Sequence, residues 1–176
     1  ERCDVVTYES ENVPAAPFFA LGVTDRLRPG VAVLETVQDR IREKTFLANS
    51  GLPHVAFHSL HNIDELPKVM EQFGYPAILK TATGGYDGKG QYRLDSPADL
   101  DTLPPLRDGA AGWWVLEEVV DIALEVSCVV AIGEDGEERT FPIFENDHRD
   151  HVLDVSVVPA RVPASVQRAV REVALD

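Results

Sequence analysis

Ala77-Ile78-Leu79-Lys80, then Thr81-Ala82-Thr83, then Gly84-Gly85-Tyr86-Asp87-Gly88-Lys89-Gly90-Gln91, is the stretch whose reading decides the fold. The apolar run 77–79 reads as a buried strand that ends on a lysine. Four glycines among the seven positions 84–90 let the backbone turn and approach a ligand closely. Successive N–H groups in such a loop can form an anion-binding concavity. Lys89 adds a mobile positive charge, suited to phosphate as a point charge. The competing reading is a strand-to-strand hairpin whose glycines serve only the turn. The loop is not a Walker A loop, because the spacing differs and a strand follows it. Nor is it a dinucleotide fingerprint. Lys80 reads as a phosphate contact, or alternatively as a snorkelling lysine with its head in solvent.

Working outward, Cys3 to Tyr8 reads as a short strand and Val13 to Leu21 as a helix or turn. Leu27 to Leu34 reads as a connector with a short strand. Thr36-Val37-Gln38-Asp39 has capping-box character, which predicts a helix from about Val37 to Ser50, stopped by Gly51. Pro53 to His58 is a candidate strand. Asn62 and Gly74 bracket a helix over 63–73. A strand at Gln91 to Leu94 follows the glycine loop. Ser96-Pro97 opens a short helix to about Leu103, and 104–112 is linker-like. Trp113 to Glu118 and Leu124 to Ile132 read as strands, and Gly133-Glu134-Asp135-Gly136 as a hairpin turn. Strands at 138–145 and 152–158 and a helix from Ala164 complete an α+β pattern with mixed or antiparallel sheets.

Composition narrows the function classes. The chain has 176 residues and a formal net charge of -14. Such acidity argues against a general nucleic-acid binder, which needs a basic footprint, but a local cationic cluster can still hold an anionic small ligand. Cys3 and Cys128 are far apart and read as free, buried thiols, which favours the cytoplasm. No segment approaches the ~20 apolar residues of a membrane span, and no signal peptide opens the chain.

Three further groups carry chemistry. Trp113-Trp114-Val115-Leu116-Glu117-Glu118-Val119-Val120 is an apolar strand ending in paired acids. An adenine can sit against its apolar side chains while backbone groups read its edge; an ordinary strand with solvated glutamates is the alternative. Glu125 suits a ribose diol, as carboxylates do in other nucleotide sites. Asn146-Asp147-His148-Arg149-Asp150-His151 reads as a polar turn. It invites a metal reading, but Mg²⁺ in an ATP site is more often held by carboxylates on strands. A solvated turn explains half of the residues, and His148 and Arg149 reaching a phosphate or substrate explain the rest better.

Together these residues resemble the ATP-grasp superfamily. Lys80, the loop Gly85 to Gln91, Glu117 to Val120 and Glu125 stand in its order and spacing. Within it, Gly-Gly-Tyr-Asp-Gly-Lys-Gly-Gln is similar to the loop of the 5-carboxyaminoimidazole ribonucleotide synthetase family. Tyr8-Glu9-Ser10-Glu11-Asn12-Val13-Pro14 resembles that family's Tyr-Glu-Phe-Glu-Asn-Val-Pro signature. Glu145-Asn146-Asp147-His148-Arg149 resembles its Glu-Asn-x-His-Arg segment, and Gln38-Asp39-Arg40 with Glu43-Lys44 matches its helix start.

The resemblance implies ATP, Mg²⁺ and bicarbonate acting on 5-aminoimidazole ribonucleotide in purine biosynthesis, through carboxyphosphate. It implies a cytoplasmic enzyme, commonly a homodimer. By position, Arg40, Lys80, Gly85, Tyr86, Asp87, Gly88, Lys89, Gly90, Gln91, Glu117, Glu118, Val119, Val120, Glu125 and His148 should touch ATP. Lys80 and the loop would serve the phosphates, Glu117 to Val120 the adenine and Glu125 the ribose. Tyr86, Lys89 and Arg149 are candidates for the substrate. The implied organisation is the tail of a Rossmann-like domain at 1–35, the small ATP-grasp subdomain with its lid loop at 36–116, and the start of the large subdomain at 117–176. The family's first strand and Gly-rich turn are expected before Glu1, and its Mg²⁺ carboxylates beyond Asp176, so the chain as it stands is expected to have little or no catalysis. Ser10, Asp147 and His151 depart from the family, and a histidine in place of glycine at 151 bears on the local backbone. Another ATP-grasp member, such as a formate-using transformylase or a biotin-dependent carboxylase, is disfavoured by Tyr86-Asp87. A non-catalytic nucleotide-binding module is disfavoured by Lys80, Lys89 and Glu125.

Overall fold

The computed structural model describes residues 3–85, 88–106 and 113–176. Tyr86 and Asp87, and most of the linker-like stretch, lie outside the described residues. The chain divides into two compact units, Glu1–Val119 and Val120–Asp176.

The first unit runs α1 (Ala16–Ala20), α2 (Val31–Val37), α3 (Arg40–Asn49), β1 (Phe57–Leu60), α4 (Leu66–Phe73), β2 (Ala77–Thr81), β3 (Gln91–Leu94) and β4 (Trp114–Glu118), with 3₁₀ turns at Thr24–Arg26, Ile63–Glu65 and Pro97–Thr102. Its strands form one antiparallel sheet in the order β1-β4-β2-β3. Because strand side chains alternate between faces, the two faces differ in chemistry. One carries Ala77, Leu79, Leu94, Trp114, Leu116 and Leu60, which close a core with Leu66 and Met70 of α4. Those two helix residues, four apart with Val69 and Phe73 beside them, form the apolar stripe that seats α4 on the sheet. The opposite face carries Lys80, Glu117, Ile78 and Phe57 at register positions that alternate with the core residues.

The second unit holds β5 (Glu125–Ser127), β6 (Val130–Ile132), β7 (Glu138–Thr140), β8 (Phe144–Arg149), β9 (Val152–Val157) and α5 (Ala164–Leu175). β5-β8-β9 is a three-stranded antiparallel sheet and β6-β7 a hairpin closed by Gly133–Gly136.

Several local expectations are corrected. Cys3 to Tyr8 is not a strand: Val6 makes a single parallel bridge to Leu27. Pro29, which has no N–H to donate, follows just after that bridge. The 27–34 connector contains a helix, α2, instead of a strand. Thr36 is not the cap of the next helix, because its hydroxyl donates one turn back to the Ala32 carbonyl. The cap is Asp39, whose carboxylate accepts from the Ile41 and Arg42 N–H groups and starts α3 at Arg40. The strand expected at 53–58 forms at Phe57–Leu60, where it finds its register with β4. Leu124 to Ile132 splits in two because its halves pair with different partners, β5 with β8 and β6 with β7. The polar segment 146–151 is mostly strand. β8 runs through Arg149 and the turn is only Asp150-His151, with φ of 51° and 68°. Positive φ at both central positions is what a type I′ hairpin turn requires, so His151 sits in a conformation that glycine adopts more cheaply. Of the cysteines, Cys3 is exposed and Cys128 half-buried, and both are free.

Candidate nucleotide site

The site in the first unit is built around the two ends of the glycine loop. Thr81, the last residue of β2, donates its N–H to the Gly90 carbonyl at 2.9 Å, which closes the loop's neck. Arg40, the first residue of α3, fastens the same neck. Its Nη1 donates to the Thr81 carbonyl at 2.9 Å, its Nη2 to the Gly85 carbonyl at 3.2 Å, and its backbone N–H to the Ala82 carbonyl at 2.9 Å. The neck has no room for side chains at two of its glycines. A Cβ on Gly85 would meet the Lys89 carbonyl oxygen at 2.9 Å, and one on Gly90 would meet Thr81 Oγ1 at 2.9 Å. That hydroxyl is buried and has no hydrogen-bond partner among the described residues. Gly88 and Gly90 take positive φ around Lys89, which is exposed.

Lys80 emerges on the polar face of the sheet and meets Glu117 across β2 and β4, Nζ to Oε2 at 2.8 Å. Glu117 is buried, and its other oxygen is 3.2 Å from Lys44 Nζ. Lys44 lies one helical turn beyond Arg40 and 6.0 Å from the centroid of the Phe57 ring. Glu118 faces the other way, as the neighbour of Glu117 in a strand must; with Val119 it lines a separate cavity beside Gly74, Tyr75 and Pro76. Gln91 opens β3 opposite Lys80. Next to the loop is a cavity of about 310 Å³ lined by Glu11, Asn12, Val37, Gln38, Arg40, Glu43, Gly84 and Gly85. The Gln38 amide donates to the Glu11 and Val13 carbonyls and so holds the 8–14 segment at this cavity.

In the second unit, Glu125 and His148 come together across β5 and β8, with His148 Nδ1 3.4 Å from Glu125 Oε2. Val120 opens this unit. Arg149 pairs instead with Asp154 at 3.2 Å, beyond the register shift between Asp147 and His148. Asn146 is structural: its amide donates to Ser127 Oγ and accepts from Ser156 Oγ, both at 2.9 Å, tying three strands together. Glu145 is buried under Arg161. The hydrogen bonds from the Arg161 side chain, and then from its backbone N–H, hold the Glu145 carboxyl below its usual range.

Of the expected site residues, the structure brings Arg40, Lys80, Gly85, Gly90, Gln91 and Glu117 to one side of the first sheet, and Glu125 with His148 to one side of the second. Thr81 belongs to this arrangement too, as do Lys44 and Glu11, which the sequence marks only as parts of family-like segments and not as site residues. For Lys44 a signal existed: it follows Arg40 by four residues on a capped helix, so the two cations share a face. Among the described residues no three His, Cys, Asp or Glu side chains converge to hold a metal ion, and no helix is long and apolar enough to cross a membrane.

Comparison with known proteins agrees with this geometry. Residues 45–176 match the ATP-grasp domain model. The chain is 38% identical over 176 residues to the bifunctional purine synthesis protein purC/E of Dictyostelium discoideum, covering 99% of this chain and 18% of that one. It is 37% identical over 168 residues to the N5-carboxyaminoimidazole ribonucleotide synthase of Staphylococcus saprophyticus, covering 96% of this chain and 44% of that one. It superposes with a TM-score of 0.84 and 36% identity on a crystal structure of the ADP complex of purK, N5-carboxyaminoimidazole ribonucleotide synthetase, covering 97% of this chain and 45% of that one. The chain thus spans less than half the length of these relatives. A glycine loop clasped at its neck, a strand lysine behind it and a match over three-quarters of the chain lead to one statement: this chain belongs to the ATP-grasp family.

Proposed function

We propose that the protein containing this chain carboxylates the amine of 5-aminoimidazole ribonucleotide, using ATP and bicarbonate. The observation that carries the reading is the buried Glu117 carboxylate. It parks Lys80 beside the neck of a glycine loop that Arg40 clasps. A lysine stored on a carboxylate at that place can be transferred to an arriving phosphate with its stem already positioned. Phosphoryl transfer depends mainly on positioning and charge neutralisation, which Lys80, Arg40 and the loop N–H groups supply. The similarity to synthases of this name supports the choice of substrate.

In this reading bicarbonate oxygen attacks the γ-phosphorus of ATP, ADP leaves, and carboxyphosphate forms. The amine nitrogen then attacks the carboxyl carbon, inorganic phosphate leaves, and the nitrogen gives up a proton. Glu11 and Glu43 line the cavity beside the loop, and in this reading that cavity receives the amine. Mg²⁺ supplies charge neutralisation to the phosphates when bound. Among the described residues no cluster of acids converges to hold it, and in this reading Lys80, Arg40 and the loop N–H groups share that task. Within the second unit, Glu125, steadied by His148, is assigned to a ribose diol. Tyr86, Lys89 and Arg149 are assigned to the substrate, and the cytoplasm and a dimer belong to the same reading.

The test is phosphate release by the full-length protein. It should require bicarbonate and rise when 5-aminoimidazole ribonucleotide is added. Stimulation by glycinamide ribonucleotide with formate instead would move the protein to a transformylase. Nucleotide binding without turnover under any of these conditions would make it a binding module.

A further inference from the structure

Glu117 holds one lysine on each carboxylate oxygen, and the two lysines are not equivalent. Lys80 is 24% exposed and reaches the carboxylate from β2. Lys44 is 13% exposed, comes from α3, and rests near the face of Phe57. Lys80 is the more accessible cation and Lys44 the more enclosed one. Among the described residues no other charge compensates this carboxylate. The register partners of Glu117, Phe57 on β1 and Ile78 on β2, are apolar. Arg93, opposite Ile78 on β3, has its Nε on Asp95 at 2.8 Å. Arg40, one turn before Lys44, is committed to the loop carbonyls.

We propose that Lys44 is a positioning residue of the phosphate site: it holds Glu117 in place when Lys80 leaves that carboxylate for a nucleotide phosphate. The proposal rests on the reading of Lys80 given above. Two lysines against one carboxylate leave this trio with one net positive charge to meet the phosphate. When Lys80 moves, a Lys44–Glu117 pair remains and the buried carboxylate keeps a partner. Without Lys44 the remaining Lys80–Glu117 pair carries no net charge before binding, and the departure of Lys80 strands a carboxylate away from water. A stranded buried carboxylate is strongly unfavourable and takes up a proton instead.

The sign follows from linkage. In a Lys44→Met variant, nucleotide binding takes up a proton at Glu117, so the ATP Kd rises with pH, approaching about tenfold per pH unit for one linked proton. The experiment is calorimetric titration of the full-length protein with ATP from about pH 6.5 to about pH 8.5, in buffers of different ionisation heat. The difference between variant and wild type removes the titration of the nucleotide itself. Lys44→Met should weaken binding by about tenfold or more near neutral pH, the scale of losing one partner of a buried charge pair, and should show close to one extra proton taken up. Lys44→Arg should restore both. Adding Glu117→Gln to Lys44→Met should abolish the extra proton. Should Lys44→Met not fold, Lys44→Gln is judged by the same two criteria. Wild-type affinity and pH slope in the variant overturn the proposal. So does a loss of affinity with no added proton uptake, which marks a merely structural lysine. A wild type that binds no ATP overturns the reading of the whole site, a result distinct from either.

Discussion

Replacing Gly90 with alanine sets a steric argument against a measurable energy. Gly90 has φ of +72°, and a Cβ there would lie 2.9 Å from Thr81 Oγ1 and 3.3 Å from Thr81 Cγ2. Neither residue can retreat freely, because Thr81 N–H is bonded to the Gly90 carbonyl at 2.9 Å. The left-handed backbone costs an alanine about 1–2 kcal/mol. Overpacking against a buried side chain costs about 1–3 kcal/mol. The reduced freedom of the unfolded chain offsets about 0.4–1 kcal/mol. The net expectation is a destabilisation of roughly 1–4 kcal/mol from these combined terms. Gly84 is the control: its φ is +74° and a Cβ there meets nothing within 4 Å among the described residues. Gly84→Ala should therefore show only the backbone part, and the gap between the two variants isolates the contact. Urea denaturation followed by tryptophan fluorescence suits the assay, since buried Trp114 stands opposite Thr81 in the sheet. Thr81→Ala in the Gly90→Ala background should return most of the contact term, and it removes a hydroxyl that has no hydrogen-bond partner among the described residues. Equal losses for Gly84→Ala and Gly90→Ala, or strict additivity with Thr81→Ala, would refute the reasoning.

The remaining expectations concern single groups. Lys80→Ala in the full-length protein should weaken ATP binding by about 1.5–3 kcal/mol, the scale of a charge-assisted contact; unchanged affinity by calorimetry would remove Lys80 from the phosphate site. Asp39→Ala removes the carboxylate that accepts from Ile41 and Arg42 and should lower stability by about 0.5–2 kcal/mol, measured by denaturation, with Asp39→Asn losing less. Glu145, held below its usual range by Arg161, contributes stability that is fully present above the ordinary carboxylate range and is lost as pH falls through its lowered folded value. Glu145→Gln should flatten that acid limb in thermal melts taken across acid pH, and a variant that keeps the full wild-type slope would show that the Arg161 pairing does not stabilise the fold.

Much of this protein was legible locally. The strand Ala77–Thr81 with Lys80 next to its end, the short helix opened by Ser96-Pro97 and the Gly133–Gly136 hairpin each stand where the sequence placed them. Their causes are short-range: alternating burial, a side chain reaching a backbone N–H within three residues, and glycine at positive φ. Where two local signals competed, the sequence alone chose less well. The spacing marks Thr36 as a cap with Asp39 as its partner three residues on, and the shift of the helix start to Arg40 follows because the Asp39 carboxylate is the one that meets two free N–H groups.

The site divides along the same line. That Lys80, the loop and the acids after Trp114 belong to one function could be read from residue types, order and resemblance. That Glu117 and not Glu118 faces Lys80 depends on the register of β2 against β4, and a one-residue slip would exchange them. The Lys44 contact depends on α3 lying over the polar face of a sheet whose order, β1-β4-β2-β3, brings a strand from late in the unit between two earlier ones. Strand alternation specifies which side chains share a face, but only long-range pairing specifies which carboxylate meets which lysine. Tertiary structure therefore decided that Glu117 is held from both sides, because the three charges stand at positions 44, 80 and 117, 36 and 37 residues apart along the chain.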